Sequence, residues 1–461
     1  MKKHSFLFLF LCLALCLAPL AGMLFYPTTV STDNRPLADF PSLTDRNGGV
    51  NLSFFQEAED CFNDRFAFRN ELIYADAMLM GKVFHVSSVD SVVYGKEGWL
   101  YYASTLDDFL GLAPMSEREL NNLAHNLSLI SRYVESRGAR FLFCVPPNKN
   151  TLYSEFMPDW ADGIVEETHN IERLTPLLDE YGVPYADLLA LFRSQDEILY
   201  LKRDSHWNNK GAALAADLLL DSLAVTHEAC VSAPATRIRD DDGDLNRMLY
   251  TLYGEKSINY HYEIPVRYTF VGENAGVEDG RLDSLSDSGN GTLLMFRDSF
   301  ANTLIPLLAN DFERACFCKE VPCSLEAYMD ELRPQYVVAE KVERNIAEYL
   351  SLPPVLSAPE ITLAGTEERI DAEAGIHVAP CDYDAAYLTL SGTVDASLLG
   401  AKTEILVRVG GTVYEAYQTG ENGFLLYLKK DALRLPAQIE VLLRDGEGLR
   451  ALRPQEVSEQ G

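Results

Sequence analysis

Three side chains in this sequence are of the types that nucleophilic acyl chemistry requires. Asp204 and His206 lie two apart in "YLKRDSHWNNKG" (200–211), and Ser299 follows an apolar run in "GTLLMFRDSFANTL" (291–304). A serine hydroxyl attacks a carbonyl only when a base takes its proton. Imidazole does this near neutral pH, and a carboxylate holds the ring in the right tautomer. Each stretch also has a plain structural reading: Asp298 or Ser299 caps a helix, and "DSHW" is a surface turn. A metal centre on Asp204 and His206 is the rival chemistry. It needs further ligands, and His85, His125, His169, His227, His261 and His377 have no partner spacing. No metal or cofactor is therefore expected. Asn148 and Lys149, in "VPPNKN", either supply an oxyanion donor or a substrate contact, or cap a loop. Trp207 either packs behind His206 or stacks on a sugar.

These residues need a frame, and the patterning supplies one. From residue 116 helical and strand-like runs alternate. "SERELNNLAHNLSLISRYVESRG" opens with a capping box at Ser116 and Glu119 and stops at Gly138. "ARFLFCVPP", "PYADL", "EILYLK", "GTLLMF", "FERACFC" and "QYVVAEKV" read as strands, with helices at "IERLTPLLDEYGV", "NKGAALAADLLLDSLA", "ANTLIPLLAN" and "SLEAYMDELRP". Such alternation predicts an α/β fold, with a mainly parallel sheet covered on both faces. Sites in these sheets gather at the carboxyl ends of strands, where Asp204, His206 and Ser299 all fall. A helix starting just after Ser299 would also turn its positive end toward an oxyanion. Upstream, "SVVYGKEGWLYY" reads as a hairpin, and the phenylalanine stripe of residues 53–84 as helical core packing. The interval from about 230 to 290 is tyrosine-rich and irregular.

From Ile361 onward short alternating strands separated by Gly or Asp predict a β-sandwich. The domain boundaries that follow are 53–354 for the α/β part and 355–461 for the sandwich, with an extended tether over 27–52. Residues 1–26 begin with Lys2 and Lys3 and continue as an uncharged apolar run from Phe6 to Tyr26. That length favours a single-pass signal anchor over a cleaved signal, with the rest of the chain outside the cytoplasm. The formal net charge of -30, from 39 basic and 69 acidic residues, excludes nucleic acid as a partner of the folded part. Nine cysteines invite disulfides in an exported chain, yet the "CFCKEVPC" cluster lacks zinc spacing and reads as buried thiols.

"RDSHWNNKG" resembles the D-x-H-W signature of the DHHW family, SGNH-hydrolase-like proteins related to the alginate O-acetylation proteins. "DNRPLADFP", "FNDRFAFRNEL", "VVYGKEGWLYY", "VPPNKNTLYSEFMP" and "FRDSFANTL" match in order, from about residue 33 to 345, leaving the tail outside. The resemblance implies a permuted SGNH-like fold, with Ser299 as nucleophile, His206 as base and Asp204 as the acid orienting it. It also implies O-acetyl transfer to a surface or secreted polysaccharide, with the acyl donor supplied by a membrane acyltransferase. An esterase with the same residues and a non-catalytic glycan-binding protein are the alternatives. Arg297 stands where G-D-S proteins carry glycine, which favours an anionic group near Ser299. Arg344 and Asn345 fall where SGNH proteins carry an Asn-bearing block, and are candidates for substrate or oxyanion contact.

Overall fold

The computed structural model describes residues 2–23, 25–26, 28, 37–44, 48–163, 168–250, 252, 254–273 and 275–458. Much of the expected tether, including "DNRP", lies outside them. The first strands, β1 (Val92–Tyr94) and β2 (Leu100–Tyr102), pair antiparallel in the register Val92↔Tyr102. Gly95 makes this turn possible: a Cβ there would lie 2.4 Å from the Phe156 carbonyl oxygen.

The central sheet contains β3 (Arg140–Cys144), β4 (Tyr185–Ala186), β7 (Tyr268–Phe270), β8 (Arg281–Ser286), β9 (Thr292–Phe296), β10 (Arg314–Cys318) and β11 (Tyr336–Glu340). Between β4 and β7 the chain forms a separate antiparallel pair, β5 (Ala235–Asp241) with β6 (Ser257–Tyr262). The central order is β4-β3-β11-β9-β10-β8-β7. Its first five strands run parallel, while β8 and β7 add antiparallel at one edge. Side chains of β3, β9, β10 and β11 are buried on both faces, as an interior parallel sheet requires. The expected α/β layer is present, though the sheet is mixed.

Three local expectations change. "EILYLK" is not a strand: only Tyr200 bridges to Trp207, because the backbone turns back on itself with Leu201 N–H donating to His206 O at 3.1 Å. The segment after Ser299 is a five-residue 3-10 turn (Ser299–Thr303) before a short helix at Ile305–Leu308, so the expected full helix dipole at Ser299 is missing. The 53–84 stripe breaks at Phe66–Phe68, where Phe68 adopts φ 63°, and Phe55 and Phe68 are exposed rather than core.

The tail forms two facing antiparallel-rich sheets, of seven and four strands, around Leu390, Val407, Phe424, Leu426 and Val441. It is packed on the α/β part through the Glu117–Ser136 helix, whose Ser116 and Glu119 form the expected capping box. Arg118 donates to the carbonyls of Glu421, Gly400 and Thr403 at 2.6, 2.7 and 2.9 Å. Asn126 exchanges hydrogen bonds with the Gln418 backbone at 2.9 and 2.8 Å. This helix is buried on both sides, between sheet and sandwich.

At the amino end Lys2–Gly22 is helical. Among the described residues no helix is long and apolar enough to cross a membrane. Among them too, Cys61, Cys144, Cys230, Cys316, Cys318, Cys323 and Cys381 are buried free thiols.

Candidate active site

Two turns at the carboxyl edge of the sheet bring the chemistry together. The first runs from Leu201 to Trp207. Lys149, buried at 4% exposure, donates its Nζ to the carbonyls of Leu201, Lys202 and Asp204 at 3.1, 3.3 and 2.6 Å. The faces of Trp99 and Tyr101 lie 5.5 and 5.2 Å from the same ammonium. Burial lowers the Lys149 pKa to about 7, against the raising fields of Asp204 and Asp244. Three donors meet three carbonyls, so Lys149 is a strut for this turn, not a substrate contact.

The second turn follows β9. Asp298 Oδ1 accepts the Phe300 N–H and its Oδ2 the Val342 N–H, both at 2.8 Å. Its own N–H donates to Glu340 Oε2 at 2.8 Å. Glu340 is fully buried; burial first, then the Asp298 charge, raises its pKa well above the ordinary carboxylate value. Asp298 thus takes the capping role and leaves the Ser299 hydroxyl free.

His206 joins the two turns. Its Nδ1 lies 2.7 Å from Asp204 Oδ1 and its Nε2 lies 2.8 Å from Ser299 Oγ. With Nδ1–H donating to the carboxylate, Nε2 is the lone-pair nitrogen that accepts the serine hydroxyl. The Phe300 ring, 4.7 Å away centroid to centroid, backs the imidazole. Ser299 and His206 are half-buried, so solvent and substrate reach them. Asp204 also accepts the His206 N–H at 2.8 Å and the Asp244 N–H at 2.7 Å. Burial opposes its ionisation, but the His206 hydrogen bond and charge and these two amides bring its pKa to about 2. Burial likewise works to lower the His206 pKa. The hydrogen bond and charge of Asp204, with the charge of Asp244, overcome it, and the net shift is upward.

Asp244, in the irregular interval from about 230 to 290, was not singled out from sequence. It lies 3.6 Å from His206 Nδ1 and accepts the Ser205 N–H at 2.7 Å and the Ser205 hydroxyl. The signal was Gly243: it holds φ +65°, and a Cβ there would lie 2.1 Å from Arg203 O.

The remaining candidates divide. Arg297 is corrected: its guanidinium binds Asn302 Oδ1 and Val277 O at 2.7 Å, and Asp279 O at 3.2 Å, so it braces the turn instead of meeting an anion. Trp207 is buried, donates to Thr303 Oγ1 at 2.6 Å and packs edge-on to Phe300, which excludes sugar stacking. Asn148 is buried with both amide atoms unpartnered. Arg344 remains available: its guanidinium lies over the rings of Tyr102 and Phe300 at 5.4 and 5.6 Å, and among the described residues it has no hydrogen bond or ion pair. Asn345 is half-buried beside it.

Residues 92–288 match the family described as SGNH hydrolase-like domain, acetyltransferase AlgX. The match takes in Asp204 and His206 and ends before Ser299. A probable alginate O-acetylase AlgJ of Pseudomonas syringae pv. tomato is 27% identical over 177 residues, which are 38% of this chain and 44% of the relative. The chain thus spans less than half the length of that relative. Among solved structures, Bacillus cereus PatB1 aligns at 18% identity and TM-score 0.44, covering 56% of this chain and 97% of its own. A DHHW family protein from Eubacterium siraeum aligns at 16% identity and TM-score 0.42, covering 56% and 93%. The resemblance read from the sequence is borne out over this part of the chain: residues 92–288 are similar to the SGNH hydrolase-like acetyltransferase family, and the AlgJ relative supports it.

Proposed function

We propose that this protein is a serine-dependent O-acyltransferase that acetylates a polysaccharide. The observation that carries the reading is the continuous chain Ser299 Oγ–His206 Nε2–His206 Nδ1–Asp204, at 2.8 and 2.7 Å. Ser299 Oγ attacks the carbonyl of an acetyl donor as His206 Nε2 takes its proton. The imidazolium, stabilised by Asp204, returns that proton to the departing donor group, leaving an acetyl ester on Ser299. A sugar hydroxyl then gives its proton to His206 and attacks the ester carbonyl, and His206 passes that proton to Ser299 Oγ as the bond to the serine breaks. Arg344, whose guanidinium lies 5.6 Å from the centre of the Phe300 ring next to Ser299, is assigned to stabilise the developing oxyanion. The AlgJ relative's name and the AlgX family description support acetyl transfer over hydrolysis. An open groove of about 290 Å³, lined by Asn209, Tyr262, Asn302 and Thr303, reaches the far end of the Ser299–Thr303 turn.

We propose further that the amino-terminal segment 1–26, which runs beyond the described helix, anchors the chain in the cell membrane with the remainder outside, where a membrane acyltransferase supplies the donor. This rests on the uncharged run from Phe6 to Tyr26 and on exposed side chains such as Phe6, Phe8 and Phe10. Protease added to intact cells should leave a membrane-held stub; a soluble chain beginning near Gly22 would show cleavage instead.

The central test is mass spectrometry after incubation with an activated acetyl ester. An acetyl group on Ser299, absent in Ser299→Ala and transferable to an oligosaccharide, is the expected result. An undiminished adduct in Ser299→Ala would place the chemistry elsewhere.

A further inference from the structure

A second group of chemistry-bearing side chains lies outside the acyl-transfer machinery. Asp108, from the Leu106–Phe109 helix, His169, at the start of the Asn170–Glu180 helix, and Glu343, from the turn after β11, converge. One ligand atom from each lies within 4.8 Å of the others. Each carboxylate is held at one oxygen by neutral donors, and Asp108 and Glu343 also act on each other. Burial first, then the Asp108 charge, raises the Glu343 pKa well above the ordinary carboxylate value, and a hydrogen bond to Asp108 adds to the rise. Glu343 Oε2 accepts the Asn148 N–H at 2.6 Å and the Thr151 hydroxyl at 2.8 Å, while Oε1 is buried with no other partner. Asp108 Oδ1 accepts the Asn170 side-chain amide at 2.6 Å, while Oδ2 is buried with no other partner and lies 3.9 Å from His169 Nδ1. Glu343 is 2% exposed.

Two carboxylate oxygens and a ring nitrogen facing one point, with no basic side chain paired to Glu343 among the described residues, cannot stand as bare charges. A proton shared by Asp108 and Glu343 relieves part of that charge, and a cation taken up in its place would satisfy all three groups at once. The outer bonds are those that orient carboxylate ligands: N–H and O–H groups fix one oxygen and aim the other. Ligand atoms about 2.0–2.2 Å from a common ion lie at most ~4.4 Å apart, so the three atoms, which lie within 4.8 Å of one another, would draw together on an ion. The donor set, one imidazole and two carboxylates, suits a borderline divalent ion better than calcium or magnesium, which favour oxygen alone. Asp108 and His169 keep 15% and 11% of their side-chain surface, which leaves an entry path.

We infer that Asp108, His169 and Glu343 form a binding site for one divalent transition cation of the zinc or manganese kind. It ties three separate chain segments together beneath the turn that carries Arg344, and it acts as a brace with no step in acyl transfer. Sequence spacing concealed it, since the three residues are dispersed over the chain.

The purified chain, stripped with chelator and dialysed, is titrated calorimetrically with zinc or manganese chloride. One equivalent should bind, and the thermal midpoint should fall on chelation and recover on re-addition. Asp108→Asn and His169→Gln should each weaken binding by more than about 100-fold, and Thr151→Val, an outer partner, by about 10–100-fold. Failure of either ion to bind overturns the inference, as does binding that survives both ligand variants, which would point to Asp204, His206 and Asp244. If the variants do not fold, the unaltered protein decides: a midpoint insensitive to removal and return of the metal overturns the brace.

Discussion

At the scale of single residues, His206 sets two pH dependences of opposite sign. As the base it must be neutral, so the acylation rate should rise with pH through a pKa above the ordinary imidazole value, the direction of its shift. Its ion pair with Asp204 works the other way on stability. The raised His206 pKa contributes stability that is complete below the unfolded value of about 6.5 and is lost as pH rises through the folded value. The depressed Asp204 pKa contributes stability above about 3.9 that is lost as pH falls toward about 2. A pH series of thermal midpoints and of single-turnover acylation should therefore diverge on the alkaline side. Asp244→Asn removes one of the charges that raise His206, so the rise in rate should move to lower pH. An unmoved profile would mean that Asp244 only orders the turn. Asp204 and His206 were legible in the sequence because they are two apart. Asp244 was not, because its role depends on a backbone turn folded back 40 residues later.

At the scale of elements, the site is two tight turns held by buried polar struts. Lys149→Met would strip three carbonyls of their donor. Each such loss costs about 1–3 kcal/mol when the group stays buried, and partial relaxation brings the expected total to roughly 3 kcal/mol. Chemical denaturation would measure it, and a change below about 0.5 kcal/mol would show that water replaces the ammonium without loss. Gly243→Ala should be as damaging from the other side of the turn, because the added methyl meets Arg203 O and φ +65° disfavours any L side chain. Its midpoint should drop while unreacted Ser299 accumulates. The parallel strands were legible from their apolar runs and flanking breakers. The loss of "EILYLK" as a strand was not, since its backbone partners are a lysine side chain and its own return turn. The 3-10 start after Ser299 was hidden likewise: "ANTLIPLLAN" has a helical pattern, but Asp298 fixes the first amide in a cap that α-helix does not follow directly.

At the scale of the whole molecule, the sandwich and the α/β sheet share one buried helix. The tail was legible as a sandwich from its alternating strands, but its docking was not, because the contacts are made by backbone carbonyls at 400, 403 and 421 that no pattern marks. A chain ending at residue 354 should not simply lose an appendage. It would expose the outer face of Glu117–Ser136, including His125 and Asn126. Such a truncation is expected to be insoluble or to unfold at markedly lower temperature, as read by light scattering and circular dichroism. Soluble, cooperatively folding protein with unchanged Ser299 acylation would show that the sandwich is dispensable.

Arg118 and Asn126 reach partners 282 to 303 residues further along the chain. A polypeptide emerging amino end first therefore holds its middle layer unfinished until almost the last residue is free. Closing loops of that length delays completion, and until then an amphipathic segment waits with one side open to water. The chain should thus become protease-resistant all at once, when its tail is free to fold. Nascent chains arrested before residue 400 should be degraded as readily as a denatured control.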